Sequence, residues 1–490
     1  MSFLCFSRKK QEPVNLTEQR GKTMVRGKFD SAQTTANNRN HWANADGLSP
    51  DAAANPAVRK IIMNRARYEV ANNNYAGGIN KSLANYLVGT GPRLQLQLDN
   101  KKASTKLEKE WKSWGKRVRL ARKLNLARRT KGTDGEYFSQ FINNPKLKHK
   151  IKLDFTAFES EMCASNFLAT DSPLDIDGIK FDKWNNPISY RILKDHPGSD
   201  TWSAQPLAST DIQASKIIHW FFNDRPGQHR GVSELASSLS LYSQMRRYTL
   251  ATLDAAETAS NNAGVIYSDV PVGEDADDID AMDEISLQRN MFTTMPLGWK
   301  MGQMKAEQPT TTHNEFKNGL VNEIGRGRNV SYNVAAGNSS GYNYASARLD
   351  HQDFFSAVRV ERDDLELIVV DRILEEWLRE AVIVFNIPMT ADEILDSHVW
   401  FWDGLPHIDP VKEANAQKTR LNSKTTTLAI EWGKDGKDYE AELLQLGKED
   451  KIKLQIEMEL LGEKKKLMKK YNLNDEDLDD GSGTETKKTK

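Results

Sequence analysis

From Tyr344 onward, apolar residues recur at helical spacing, with Val358, Leu365, Val369, Ile373 and Trp377 on one face. The spacing predicts a helix of roughly thirty residues, long for an ordinary globular domain, and points to a large assembly. The stretch that feeds it, Gly337-Asn338-Ser339-Ser340-Gly341-Tyr342-Asn343-Tyr344-Ala345-Ser346-Ala347-Arg348, is small and polar. Glycine reaches backbone angles that other residues avoid, and Asn and Ser bond their own backbone, so Gly337 to Gly341 is expected to be a mobile turn. Taken alone, this stretch has two readings: a surface loop ahead of a long core helix, or a loop that faces something polar.

The chain has 490 residues, enough for about two to four domains and a sizeable core. It is 38% hydrophobic and 28% charged, the balance of a globular protein rather than a disordered one. Its net charge is zero, so the whole chain neither attracts nor repels nucleic acid. Lys101 to Lys152 is strongly basic, however, and Asp269 to Glu284 holds Asp and Glu without any Lys or Arg. Such blocks are solvated faces or, in one chain, complementary sides of a subunit contact. Two cysteines, Cys5 and Cys163, exclude a disulfide framework and a cysteine-based zinc site. No apolar run is long enough to span a membrane, and the first ten residues have the wrong order for a signal peptide. The protein is expected to be made and used in a cytoplasm.

Along the chain, residues 1 to about 50 read as an extended polar arm. Helices follow from about Asp51, broken at Asn72-Asn73-Asn74 and stopped at Gly89-Thr90-Gly91-Pro92. Leu107, Trp111, Trp114, Val118 and Ala121 make an amphipathic helix whose tryptophans belong to its core face. Short strands are expected at Glu136 to Ile142, Lys150 to Phe155, Gly178 to Asp182, Ile188 to Leu193 and Lys216 to Phe222. A helix then runs from about Val232 to Asn261, with Leu235, Leu239, Tyr242, Met245, Leu250 and Leu253 on its apolar side. After the acidic segment come a short strand within Met291 to Met304, a helix over Asn314 to Gly325, and a charged helix over Tyr439 to Tyr471. Asp475 to Lys490 is expected to be disordered. The fold class is α+β and predominantly helical.

Catalytic chemistry finds little support. There is no phosphate-cradling loop ending in Gly-Lys-Ser/Thr and no dinucleotide fingerprint. Asp403, His407 and Asp409 form the best metal-type cluster, although Asp409 also suits the cap of a helix starting at Pro410. Cys163 lacks a partner histidine, and Ser339 and Ser340 do not sit in a Gly-x-Ser-x-Gly elbow. No catalytic, cofactor or metal residue is assigned, and the chain is not expected to be an enzyme.

Several segments, in order, resemble one family: the portal proteins of tailed bacteriophages, of the lambda-like type. They are Asp51-Ala-Ala-Ala-Asn-Pro-Ala-Val-Arg59, Arg65-Ala-Arg67 through Gly77, Val88-Gly-Thr-Gly91, Asp134-Gly-Glu136, Gly178-Ile-Lys-Phe-Asp182 with Pro187-Ile-Ser-Tyr190, and His196-Pro-Gly198. The strongest is Ile218-His219 with Arg225-Pro-Gly-Gln-His-Arg-Gly-Val232; Gly341 to Arg348 and His407 to Ala414 complete the series, which covers about residues 50 to 440.

The resemblance implies a ring of twelve subunits at one capsid vertex, with double-stranded DNA entering and leaving through its channel. It also implies wing, stem, clip and crown regions. The partners would be the terminase large subunit, the major capsid protein and head-completion or connector proteins, in a virion assembled in the host cytoplasm. Laid on this chain, residues 51–230 are wing, 231–262 a stem helix, 263–312 clip and 313–332 a second stem helix. Residues 333–343 are a channel loop, 344–410 the long helix and return to the wing, 411–470 crown and 471–490 tail. Asn338, Ser339, Ser340 and Tyr342 would face the DNA. Arg326, Arg328 and Arg348 are candidates for phosphate contact or, equally, for intersubunit or helix-end salt bridges. A loop with few charges suits a conduit, because each neutralised phosphate adds affinity that would hold DNA still. The alternative reading is a metal-dependent DNA-processing enzyme of a packaging or recombination system, built on Asp403, His407 and Asp409.

Overall fold

The computed structural model describes residues 39–164, 174–199, 208–260, 264–268, 299–303, 313–404 and 410–471. The expectations for residues 1–38, the acidic run Asp269 to Glu284, His407, Asp409 and the tail from Asp475 fall outside these residues.

Helix α1 (Pro50–Ala53) is capped by Ser49, and α2 (Pro56–Asn72) by Asn55, each with proline in the first turn where no backbone donor is lost. Asn73 caps α3 (Asn74–Val88), so the asparagine triplet does break the run, but into two abutting helices. Strand β1 (Arg93–Leu96) leads to α4 (Lys101–Val118), where Leu107, Trp111, Trp114 and Val118 are buried. Trp111 packs against Trp114, Trp377 and Trp400. The tryptophans are core residues, as their spacing predicts.

Arg119 adopts a left-handed backbone, and a second helix, α5 (Leu120–Asp134), sets off where the sequence reading expected none. Its inner face is mixed: the apolar period of Leu120, Leu124 and Ala127 lasts two turns and then gives way to buried Arg128 and Lys131.

The β-rich module follows. Strands β2 (Glu136–Asn143) and β3 (Leu153–Phe158) pair antiparallel. β4 (Asp175–Ile176), β5 (Ile179–Phe181), β6 (Pro187–Leu193) and β7 (Ser209–Gln213) form a four-stranded sheet in that order. β8 (Ile217–Phe221) pairs with β2, giving the order β3-β2-β8. The turn Asp182 to Asn186 is held by the Asp182 carboxylate, which accepts from the Trp184 and Asn186 amides. Between the sheets, Arg230 is buried and binds Glu136 at 2.7 Å while donating to the Cys163, Asp177 and Ser160 carbonyls. The Cys163 thiol beside it is pushed up to about 12 by burial, so it is no nucleophile.

Helix α6 (Leu239–Ser260) starts later than the periodicity suggested, because Ser233 to Ser238 is spent on turns. Leu235, Tyr242 and Met245 are buried, whereas Leu250 and Leu253 are more than half exposed. β9 (Gly264–Ser268) and β10 (Trp299–Gln303) form an antiparallel pair. α7 (His313–Gly327) returns against α6, with His313 stacked on Tyr248. After α8 (Tyr332–Ala336) comes α9 (Tyr344–Leu365), which passes through a π-helical turn (Glu366–Val370) directly into α10 (Asp371–Phe385). The helical run is thus longer than its apolar spacing predicts, and Val358, Leu365, Val369, Ile373 and Trp377 are all buried. Indole donors pin the turn on both sides: Trp220 Nε1 to Asp364 at 2.6 Å, Trp400 Nε1 to Asp371 at 2.7 Å, and Trp402 Nε1 to Glu366.

Short α11 (Ala391–Leu395) and β11 (His398–Phe401) close the core, with β11 pairing antiparallel to β1. The chain ends its described part in α12 (Pro410–Asn422), α13 (Leu428–Lys434) and α14 (Tyr439–Tyr471). α14 has the bounds its charge pattern suggested, and none of its residues is buried. No helix among the described residues is long and apolar enough to cross a membrane.

Candidate nucleic-acid interface

The small polar stretch is a defined loop anchored at both ends. Gly337 closes α8 with a left-handed backbone (φ 62°), a conformation glycine takes without strain. Asn338 then turns the chain back, its amide bonding the Asn333 carbonyl and its side chain accepting from the Ser340 amide. At the far end Tyr342 stacks parallel to Tyr332, and its hydroxyl donates to Asp350 at 2.5 Å. Burial and Asp350 together push the Tyr342 hydroxyl up to about 12, so it stays a donor at neutral pH. Asn343 and Ser346 then form a reciprocal capping box for α9. The tip, Asn338, Ser339, Ser340 and Gly341, is exposed and uncharged. The expectation of a mobile turn is therefore narrowed to this tip; its flanks are tied.

The three candidate arginines part company. Arg326 and Arg348 are exposed and make no ion pair among the described residues. Arg326 lines a 590 Å³ cleft between α7 and α9 with Asn318, Asn322, Tyr332 and Tyr342. Arg348 lines a second cleft of 1010 Å³ with His351, Phe355 and Arg359. Arg328, by contrast, has a fully buried side chain bonded to Glu234 at 3.1 Å. Of the two readings given to Arg328, phosphate contact or salt bridge, its contacts in the single subunit support the salt bridge, made just past the end of α7.

Arg328 belongs to a charge cluster that the sequence reading missed. Glu234 meets Arg128 and Lys131, each at 3.1 Å, and Glu361 meets Arg128 at 2.7 Å and Lys131 at 3.0 Å. Lys131 also lies 3.4 Å from the Phe222 ring centroid. Burial pushes the Glu234 carboxyl up, but Arg128, Lys131 and Arg328 outweigh it and hold it well below the usual range. Gly132 makes room: a Cβ there would lie 2.5 Å from Asn80 Oδ1 and 2.8 Å from Arg128 Nη1. The cluster joins α5, the turns before α6, the end of α7 and α9, and so fixes where the loop is held. It also consumes part of the basic block Lys101 to Lys152, as does the Lys123 pair with Asp154.

The metal-type reading gains nothing. The Asp403 carboxylate takes the Thr90 hydroxyl at 2.7 Å and Arg93 at 2.8 Å, and its partners His407 and Asp409 lie outside the described residues. Glu159, Glu161 and His196 do converge, yet Arg67 reaches both carboxylates and supplies the positive charge a cation would bring.

The sequence profile described as phage portal protein, lambda family, matches residues 36–362, ending in the last turn of α9. The chain belongs to the lambda family of phage portal proteins. This portal protein is 24% identical over 356 residues to a "Probable portal protein" of Halomonas phage phiHAP-1, covering 68% of this chain and 67% of that one. Among solved structures it is similar to a chain in the neck of an empty GTA particle computed with C6 symmetry. There the TM-score is 0.45 and the identity 15%, covering 76% of this chain and 90% of that chain. It is also similar to a chain in the virion of a native gene transfer agent particle, with TM-score 0.42, identity 12% and coverage of 80% and 94%.

Proposed function

We propose that this portal protein closes into a ring of twelve copies at one capsid vertex and conducts double-stranded DNA through its axial channel. It would serve as a structural component of the virion, assembled in the host cytoplasm, docking the terminase large subunit, the major capsid protein and later the head-completion or connector proteins. The observation that carries the reading is the exposed, uncharged tip Asn338 to Gly341, held between α8 and the capped start of α9 in a chain of this family. A neutral tip lets a charged rod slide, because each phosphate neutralised adds salt-dependent affinity. In this reading α6 and α7 are the stem pair, β9 and β10 the described part of the clip, and α12 to α14 the crown.

Ring closure needs unlike surfaces on one chain that complement each other. Leu250 and Leu253 on α6, Phe316 on α7, and Val360 and Leu367 on the long helical run are all exposed in the single subunit and suit burial against a neighbour. Negative-stain images and mass measurement of the purified chain test this. Closed rings with an axial hole are expected, and a monomer or dimer would refute the conduit. Deletion of Asn338 to Gly341 is expected to leave rings intact and alter DNA packaging; normal packaging would return the loop to a passive role.

A further inference from the structure

We infer that the C-terminal end of α14 is a second phosphate-binding surface, separate from the loop, which contacts the backbone of double-stranded nucleic acid. The inference rests on the conduit reading, in that DNA must reach this end of the chain. Between Glu463 and Tyr471 there are five lysines and one carboxylate. At about 100° per residue, Lys465, Lys466, Lys469 and Lys470 fall within about 140° of one face. Leu460, Leu461, Leu467, Met468 and Tyr471 fall on the other. All five lysines, Lys464 included, are exposed, and none makes an ion pair among the described residues.

A simpler role is to complement the helix dipole, but that effect fades within the last turn, and Lys465 and Lys466 lie before it. A lipid surface is the other partner a basic amphipathic helix takes. Glu440, Glu442, Glu449, Asp450, Glu457 and Glu459 along the earlier part of α14 would be repelled by anionic lipid, and only the tip is basic. Contact limited to the tip suits a phosphate backbone better than a helix lying flat on a bilayer. Leu460, Leu461, Leu467 and Tyr471, on the face away from these four lysines, are exposed in the single subunit, so a neighbouring copy can cover that side and leave the four lysines free.

The test uses the full chain with Lys465, Lys466, Lys469 and Lys470 replaced by Gln, and a duplex of about 30 base pairs whose backbone carries the phosphates. The slope of log affinity against log salt is expected to become shallower by about 1 for each lysine that holds a phosphate. Helicity and ring mass are expected to stay unchanged. Replacing Asp475, Glu476, Asp477, Asp479 and Asp480 by Asn or Gln is expected to tighten binding, because those carboxylates compete in sequence for the same lysines. An unchanged slope overturns the inference. So does a loss confined to phosphatidylserine vesicles, or one that tracks lost helicity. Rings with an axial hole but an unchanged slope sink this surface and spare the conduit; failure to form rings sinks the conduit itself.

Discussion

Two substitutions in the buried charge cluster are expected to differ in a way that simple pair counting would not predict. Three cations, Arg128, Lys131 and Arg328, share two carboxylates, Glu234 and Glu361, and the three cationic side chains are 3%, 1% and 0% exposed. Glu234→Gln leaves Arg128 and Lys131 on Glu361 and Arg328 without a carboxylate partner. Removing one partner of a buried pair costs about 3–5 kcal/mol, and the partial exposure of Glu234 argues for the lower end. Arg328→Met leaves two cations on two carboxylates, and Glu234 keeps both Arg128 and Lys131. It also removes a guanidinium whose Nε and Nη1 have no hydrogen-bond partner among the described residues. An apolar replacement there is expected to cost less than about 1.5 kcal/mol. Hydrogen exchange of α5 amides reads the difference: a loss of about 3 kcal/mol speeds exchange by about two orders of magnitude, whereas Arg328→Met changes it by about tenfold at most. Tryptophan fluorescence during urea unfolding gives a second readout, since Trp220 lies 4.7 Å from Lys131 Nζ. If Arg328→Met proves as damaging as Glu234→Gln, the argument that the cluster holds an excess cation is wrong.

Acid should erase the contribution of Glu136. Burial raises its carboxyl, but Arg230 and His219 outweigh this and hold it well below 4.5, so its stabilisation is complete above that value and lost as pH falls beneath it. The stability gap between the natural chain and Glu136→Gln is therefore expected to be constant at neutral pH and to shrink below about 4.5 in denaturant titrations; a gap that widens with acid would contradict the sign. Tyr342→Phe removes the donor to Asp350 and is expected to cost about 1–2 kcal/mol locally, seen as faster amide exchange over Gly337 to Tyr342 with ring mass unchanged. Unchanged exchange would show that the Tyr332 stack alone anchors the loop.

Elements whose role is apolar were legible in the sequence. Val358 to Trp377 gave the long helix, Leu107 to Val118 gave α4, and the tryptophans were rightly assigned to the core. Part of what was hidden has one cause: burial achieved by paired charge has no hydrophobic period. α5 keeps an apolar period only from Leu120 to Ala127, then presents Arg128 and Lys131 inward, and was missed. Arg328 looked like a surface cation because nothing local announces Glu234, which is distant in sequence. Leu250 and Leu253 fit the helical period but face outward in one subunit, since periodicity finds an apolar face without saying which surface covers it. At the loop, composition showed a turn, while the anchors Asn333 and Asp350 are contacts that only the fold creates. The capping box Asn343 to Ser346 could have been read from the sequence as an N-terminal signal.

The π-helical turn at Glu366–Val370 amounts to one residue more than a regular helix would need between Leu365 and Asp371. The wide turn takes up that residue, so the half of the helix that begins at the loop and the half that ends at Phe385 keep the phase of one regular helix. Deleting a single residue there, such as Leu367, which is 70% exposed, would let the run become regular while α10 keeps its packing. α9 would then keep its phase relative to α10, whereas a regular helix that retained the surplus residue would turn α9 by about 100° about its axis. The direction in which Asn338 to Gly341 points from the subunit thus depends on the surplus residue staying confined to this turn, which the indoles of Trp220, Trp400 and Trp402 hold in place.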